Sequence, residues 1–318
     1  TVRGLPFIYM GVDVTDIDLW LYMRSSSLAR ERTCVDIKYK RTPQAMERVF
    51  WTKGLQEVLG VDRAVVVTTD NRKETREFGI AHGVNVLHGE FLQRVINSYS
   101  NSSNRITEEY LFAELKTPCV VDAAVNWPRF YRQAKSMLLS GLNFNTCNAF
   151  LMRTRFLLEE YLATNKSSKA SVRLLYVLIS YFLTTLDYTS RSITHLDSES
   201  RKTSLSNGFR YGDAGHERAD EIVDMALHLL IDTAKSDLFS RSNLKGEVDK
   251  QFSEYPAEVL GEYFSKVDAL KKFFDLARGF EICAYATDLA MPNRCSSEQK
   301  AIIGLLCDFF RIDRRKII

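Results

Sequence analysis

The chain has 318 residues, of which 45% are hydrophobic and 26% charged, with a formal net charge of +3. That length accommodates two domains with separate cores, and so small a charge excludes a whole-molecule field for nucleic acid, leaving local clusters of cations to hold any anionic polymer. Six dispersed cysteines without a Cys-x-x-Cys pair argue against a zinc ribbon or a disulfide framework and fit a reducing cytoplasm.

In chain order, Leu5 to Val12 reads as a first strand with a bend marked by Gly11. Ile17 to Met23 and Arg32 to Lys40 are rich in β-branched, aromatic and alternating apolar residues, and the short polar stretch Arg24 to Glu31 between them predicts an antiparallel hairpin. Thr42-Pro43 suits a helix start, with a rough stripe of Met46, Val49, Phe50, Leu55, Val58 and Leu59 and a stop at Gly60. The continuous run Ala64 to Val67 predicts a buried central strand, reached by crossover and therefore parallel to its neighbour. Asn71 to His82 reads as a second helix and Val84 to Leu87 as a last strand.

The polar, low-complexity stretch from Asn97 to Asn104 marks a linker between residues 1–96 and 105–318. Beyond it the pattern is helical: Glu108 to Leu115, Arg129 to Leu139, Thr146 to Leu162, Val172 to Leu186, Glu217 to Ala234, Pro256 to Leu276 and Glu298 to Phe309. The apolar window Leu174 to Leu186 is short for a bilayer and reads as a buried helix, so no membrane partner is expected. Asp187 to Ala214 reads as a long loop. Its cations Arg191, Arg201, Lys202 and Arg210 alternate with Tyr188, Phe209 and Tyr211, a mixture that also suits nucleic acid, although a plain surface loop is favoured.

Chemistry concentrates in the predicted hairpin. Residues two apart on a strand share a face, so Asp36 and Lys38 project together and Asp18 of the preceding strand can reach them. Two close carboxylates call for a cation, and a hard divalent ion takes such oxygens while keeping several waters. With an ammonium beside it, the set suits in-line attack on a phosphodiester. Glu114-Leu115-Lys116 and Glu298-Gln299-Lys300 share the acid-x-lysine spacing but lie in helical patterns, where residues two apart diverge.

The succession Thr15-Asp16-Ile17-Asp18-Leu19-Trp20, Cys34-Val35-Asp36-Ile37-Lys38-Tyr39-Lys40, Asp62 to Thr69 and Glu77 to Gly89 resembles the restriction-endonuclease-like PD-(D/E)XK nucleases, most closely their Mrr-type and archaeal Holliday-junction-resolvase branches, over about residues 5–95. The resemblance implies an α/β core with a mixed sheet flanked by helices, followed here by an all-α domain. It assigns Asp18, Asp36 and the Ile37 carbonyl to Mg2+ or Mn2+, and Lys38 to the attacking water. It further implies DNA as substrate, in restriction, anti-phage defence or repair. Lys40, Arg41, Arg48 and Lys53 are the expected phosphate contacts. A homodimer is expected because cutting both strands takes two sites, and the helical half is expected to select substrate or bind a partner protein. Asp16-Ile17 stand where many members carry a proline, and no glutamate precedes Glu31. The sequence starts at Thr1 rather than Met, which suggests a trimmed piece lacking the family's opening helix and leaves a third acidic ligand open. The competing reading is a non-cleaving scaffold that keeps the sheet and binds a partner.

Overall fold

In a computed structural model of the chain, residues 1–40, 44–98, 104–116, 125–163, 169–234 and 241–318 are described. A five-stranded mixed sheet with helices comes first, followed by a mainly helical region. The sheet comprises β1 (Val2–Tyr9), β2 (Val12–Arg24), β3 (Arg30–Lys38), β4 (Arg63–Thr68) and β5 (Val84–His88), in the order of the chain. β1, β2 and β3 form an antiparallel meander, while β4 and β5 continue it in parallel.

The first turn is tight because Met10 and Gly11 both take positive φ, at 47° and 82°, the geometry of a two-residue hairpin. The segment read as one bent strand is therefore two strands meeting at Met10-Gly11. Parallel pairing requires crossovers, supplied by α1 (Ala45–Leu59) and α2 (Lys73–Ala81). Gly60 ends α1 at φ 58°, a left-handed cap. Gly79 lets α2 lie close against β5, since a Cβ there would stand 2.5 Å from Val86 Cγ2 and 2.7 Å from the Val84 carbonyl oxygen.

After β5 the chain forms α3 (Gly89–Ser98), α4 (Glu108–Lys116), α5 (Trp127–Met137), α6 (Phe144–Ala163), α7 (Lys169–Thr189), α8 (Ser198–Tyr211), α9 (Gly215–Ala234), α10 (Arg241–Glu254), α11 (Ala257–Phe264), α12 (Val267–Tyr285) and α13 (Ser297–Phe309). The chain divides into two compact units: residues 1–142 with 168–174 and 282–289, and residues 143–167, 175–281 and 290–318. Most of the expected linker lies outside the described residues, and α4 and α5 belong to the same unit as the sheet. In that unit the buried Tyr131 hydroxyl donates to Glu108 at 3.0 Å and lies 2.7 Å from the Tyr285 hydroxyl. The buried Arg173 guanidinium donates to the carbonyls of Ala284 and Ala286, each at 2.7 Å.

In the second unit Phe182, Phe209 and Phe264 meet within 6.3 Å of one another around buried α7. The helix that includes α7 is long and apolar enough to cross a membrane. Burial of 89% of its most apolar window within the protein is the condition of a core helix.

Three expectations are corrected. The loop read over Asp187 to Ala214 contains α8, capped by the Asp197 side chain, which accepts from the amides of Glu199 and Ser200 at 3.0 Å. Its buried face carries Arg201, Ser206 and Gly208 beside only two large apolar residues, Leu205 and Phe209, so little hydrophobic period shows. Arg201 donates to the Ser265 carbonyl at 2.9 Å and to that of Leu196, while Arg210 bonds Glu258. Those cations hold helices together rather than tracking phosphates. The helix read as continuous from Pro256 to Leu276 breaks between Phe264 and Val267, and the polar α10 carried no period to reveal it.

Candidate active site

The β2–β3 ladder runs from Arg24 opposite Arg30 down to Leu19 opposite Val35, and there it divides. Toward its start β2 keeps pairing with β1, Ile17 standing opposite Leu5, while β3 carries on alongside β4 to Lys38 opposite Thr68. Asp18 and Asp36 are the first residues past the fork on their respective strands. Trp20 and Cys34 are an opposed pair, and Asp18 and Asp36 lie two residues from them, so both acids fall on one face of the sheet. Lys38, two residues beyond Asp36, shares that face.

Splitting the ladder frees a backbone donor, and a candidate side chain takes it: the Ile37 amide donates to Asp18 Oδ2 at 2.6 Å. No other described residue bonds Asp18, which leaves its Oδ1 open among them. Asp36, only 8% exposed, lies under α1 and accepts from Arg48 through both carboxylate oxygens, with Nε to Oδ2 at 2.8 Å and Nη2 on Oδ1. This bidentate pair holds the guanidinium charged above its ordinary range, chiefly through the hydrogen bond to Asp36, with the charge of Asp18 contributing. Beneath it burial pushes the Cys34 thiol up to about 11, and the Asp36 charge adds to the shift, so this cysteine is neutral and unreactive.

Half-buried Lys38 makes no hydrogen bond or ion pair with another described residue. Ile37 is 40% exposed on the opposite face. Of the expected phosphate contacts, Lys40 is exposed and its carbonyl accepts from Thr69 Oγ1 at 2.6 Å. Lys53 bridges Glu57 at 3.0 Å along α1, and Arg41 lies outside the described residues. Arg48 is committed to Asp36, because a buried carboxylate needs a counter-charge more than an exposed phosphate track does.

Sequence reasoning passed over Asp70. This buried acid, just past β4, accepts from the Arg72 amide at 2.9 Å, the Arg72 guanidinium and Thr75 Oγ1. Those bonds, the one to the Arg72 side chain foremost, hold its carboxyl down at about 2. An Asp-x-Arg step after a buried parallel strand was the available signal. His88 ends β5 opposite Thr68, with its Nδ1 buried and without a hydrogen-bond partner among the described residues. His82 packs on Phe78 at 4.4 Å.

The donor set fits an ion that brings most of its own waters. Magnesium takes one or two carboxylates in such sites, and two stand at the fork with one oxygen of Asp18 open. Arg48 is its competitor at Asp36. Among the described residues no three His, Cys, Asp or Glu side chains gather to hold a metal by themselves. Comparison with known proteins finds no matching family model, no matching curated sequence and no matching solved structure.

Proposed function

We propose that the chain is a metal-dependent endonuclease of the PD-(D/E)XK kind, hydrolysing DNA phosphodiesters in restriction, anti-phage defence or repair. The observation that carries this reading is the divided ladder, which sets Asp18 and Asp36 on one face at the fork with Lys38 beyond them. A Mg2+ or Mn2+ ion held there would supply a Lewis acid and an acidified water. Asp18 and Asp36 would hold the ion, together with the Ile37 carbonyl if the family pattern applies. Lys38, without another described partner, would orient the attacking water and offset charge developing on the phosphate. Arg48 neutralises Asp36 in the chain without metal, and an ion held there would have to compete with it.

The test is plasmid nicking with magnesium by the parent and by Lys38→Ala, Asp36→Asn and Asp18→Asn. Each substitution is expected to lower the rate about a hundredfold or more, with DNA affinity measured alongside. Equal rates in parent and Lys38→Ala would remove the assignment.

The second reading, a non-cleaving scaffold, is favoured by one specific observation: both oxygens of Asp36 are taken by a guanidinium. A chain that binds DNA or a protein but never nicks, with either metal, would establish it.

A further inference from the structure

Helix α1 packs on the sheet with Ala45, Val49, Thr52 and Leu59. Its opposite face should then be polar. Instead that face carries Phe50, Trp51 and Val58, 63%, 46% and 67% exposed, around the bare backbone of Gly54, where an added Cβ would meet nothing within 4 Å. Residues three and four apart share a helix face, so these four make one stripe. Phe50 is braced from behind by Phe78 of α2, ring to ring at 5.2 Å. A glycine in mid-helix destabilises it, and no close approach among the described residues explains this one.

We propose that this stripe is the contact by which two copies of the chain associate, with the two α1 helices crossing antiparallel at Gly54. The stripe is complementary to itself under such a two-fold axis. With a rise of 1.5 Å per residue, Trp51 lies ~4.5 Å before Gly54 and Val58 ~6 Å after it. Antiparallel pairing therefore sets Trp51 against Val58 of the second copy, and the reverse contact repeats it. On the other flank Lys53 lies ~1.5 Å before the glycine and Glu57 ~4.5 Å after it, which brings Lys53 of each copy beside Glu57 of the other. The two already bridge within one chain at 3.0 Å. Across the axis the same pair becomes a rim of four charges. The absent side chain of Gly54 lets the backbones approach at the crossing.

Phe50, Trp51 and Val58 leave roughly 300 Å² of apolar surface per copy, so the paired stripes supply roughly 600 Å², about half of what the smaller specific complexes bury, and the rim around Lys53 and Glu57 has to supply the rest. Flanked by Glu47, Glu57 and Lys53, with the Arg48 guanidinium over the Trp51 ring already paired to Asp36, the stripe has no excess of positive charge for phosphates, so a second copy fits it better than nucleic acid. The proposal is independent of whether the fork cleaves DNA.

Sedimentation velocity of the full chain across micromolar concentrations should show a particle of twice the chain mass. Trp51→Ser with Val58→Ser should raise the dissociation constant about a hundredfold or more, with an unchanged circular-dichroism spectrum. Lys53→Glu and Glu57→Lys should each weaken self-association, yet an equimolar mixture of the two should associate, since only between unlike copies do the charges match. A parent that stays monomeric, a dimer that survives the double substitution, or a mixture that fails to associate would overturn the proposal. So would a monomer whose exposed Trp51 is quenched by an oligonucleotide.

Discussion

Replacing Arg48 with alanine tests the fork most directly. In the parent, Asp36 is 8% exposed and its neutralising partner is the bidentate guanidinium. Removing one member of a buried pair leaves the other charge desolvated, at a cost of about 3–5 kcal/mol. Here the Arg48 side chain is 21% exposed, so water can enter behind it and the lower figure, about 3 kcal/mol, applies. Urea denaturation followed by the fluorescence of buried Trp20 and Trp127 measures it. Arg48→Ala with Asp36→Asn closes a double-mutant cycle whose coupling should reach about 2 kcal/mol. Magnesium then separates the two functional readings. With the guanidinium gone, two uncompensated acids on one face should attract the ion, and magnesium at 100 times its dissociation constant would restore about 2.7 kcal/mol. The parent should recover less, because Arg48 competes. A loss under about 1 kcal/mol would refute the structural argument. A full loss without recovery in magnesium would mean that Asp18 and Asp36 do not share an ion.

Three further outcomes follow from individual contacts. Asp70 has a folded-state carboxyl held at about 2, below the ordinary aspartate value near 3.9 in the unfolded chain. Its stabilisation is therefore complete above about pH 4 and is lost as pH falls toward 2. Since the Arg72 side chain is 61% exposed, this amounts to roughly 1–2 kcal/mol. Asp70→Asn should flatten that acid limb in denaturation curves taken at successive pH values, and an unaltered limb would discard the linkage. Gly79→Ala should cost about 2 kcal/mol or more, because its methyl meets the Val84 carbonyl and α2 must lift. Gly54→Ala should stabilise the monomer by about 0.5–1 kcal/mol in urea melts at low concentration, since nothing there obstructs a methyl group.

The sheet was legible because its strands differ in kind. β3 alternates, β4 is continuously apolar, and the spacing between them admits a crossover, which together specify order and direction. The acids and lysine of the fork were legible for the same reason, since strand alternation places residues two apart on one face. The counter-ion of Asp36 was not. Arg48 lies twelve residues away on another element, and only the packing of α1 on β3 brings it over the carboxylate. In the helical half, hydrophobic period located the apolar helices but missed α8, whose buried face includes small and polar residues. Gly208 lies where a Cβ would strike the Phe144 ring, and Gly261 of α11 packs against Ser206. Close backbone approach leaves no apolar signature in composition.

Helix α1 shows why a rough stripe deserves a physical explanation rather than smoothing. Met46, Val49, Phe50, Leu55, Val58 and Leu59 looked like one imperfect apolar face, yet Val49 and Leu59 are buried while Phe50 and Val58 are exposed on the far side. The irregularity records three demands on fifteen residues. One face must cover the sheet. One edge must deliver a cation to Asp36, because that acid is buried whatever it does for function. The third face is apolar and exposed beyond what its contacts with Phe78 and Arg48 account for. Folding alone would have selected lysine or glutamate at Val58 and alanine at Gly54, each a better helix former in water. That these positions hold the opposite choices argues that α1 is shaped by something beyond its own sheet. The mixing experiment with Lys53→Glu and Glu57→Lys asks whether that something is a second α1, because intrachain repair of the pair cannot occur in either variant.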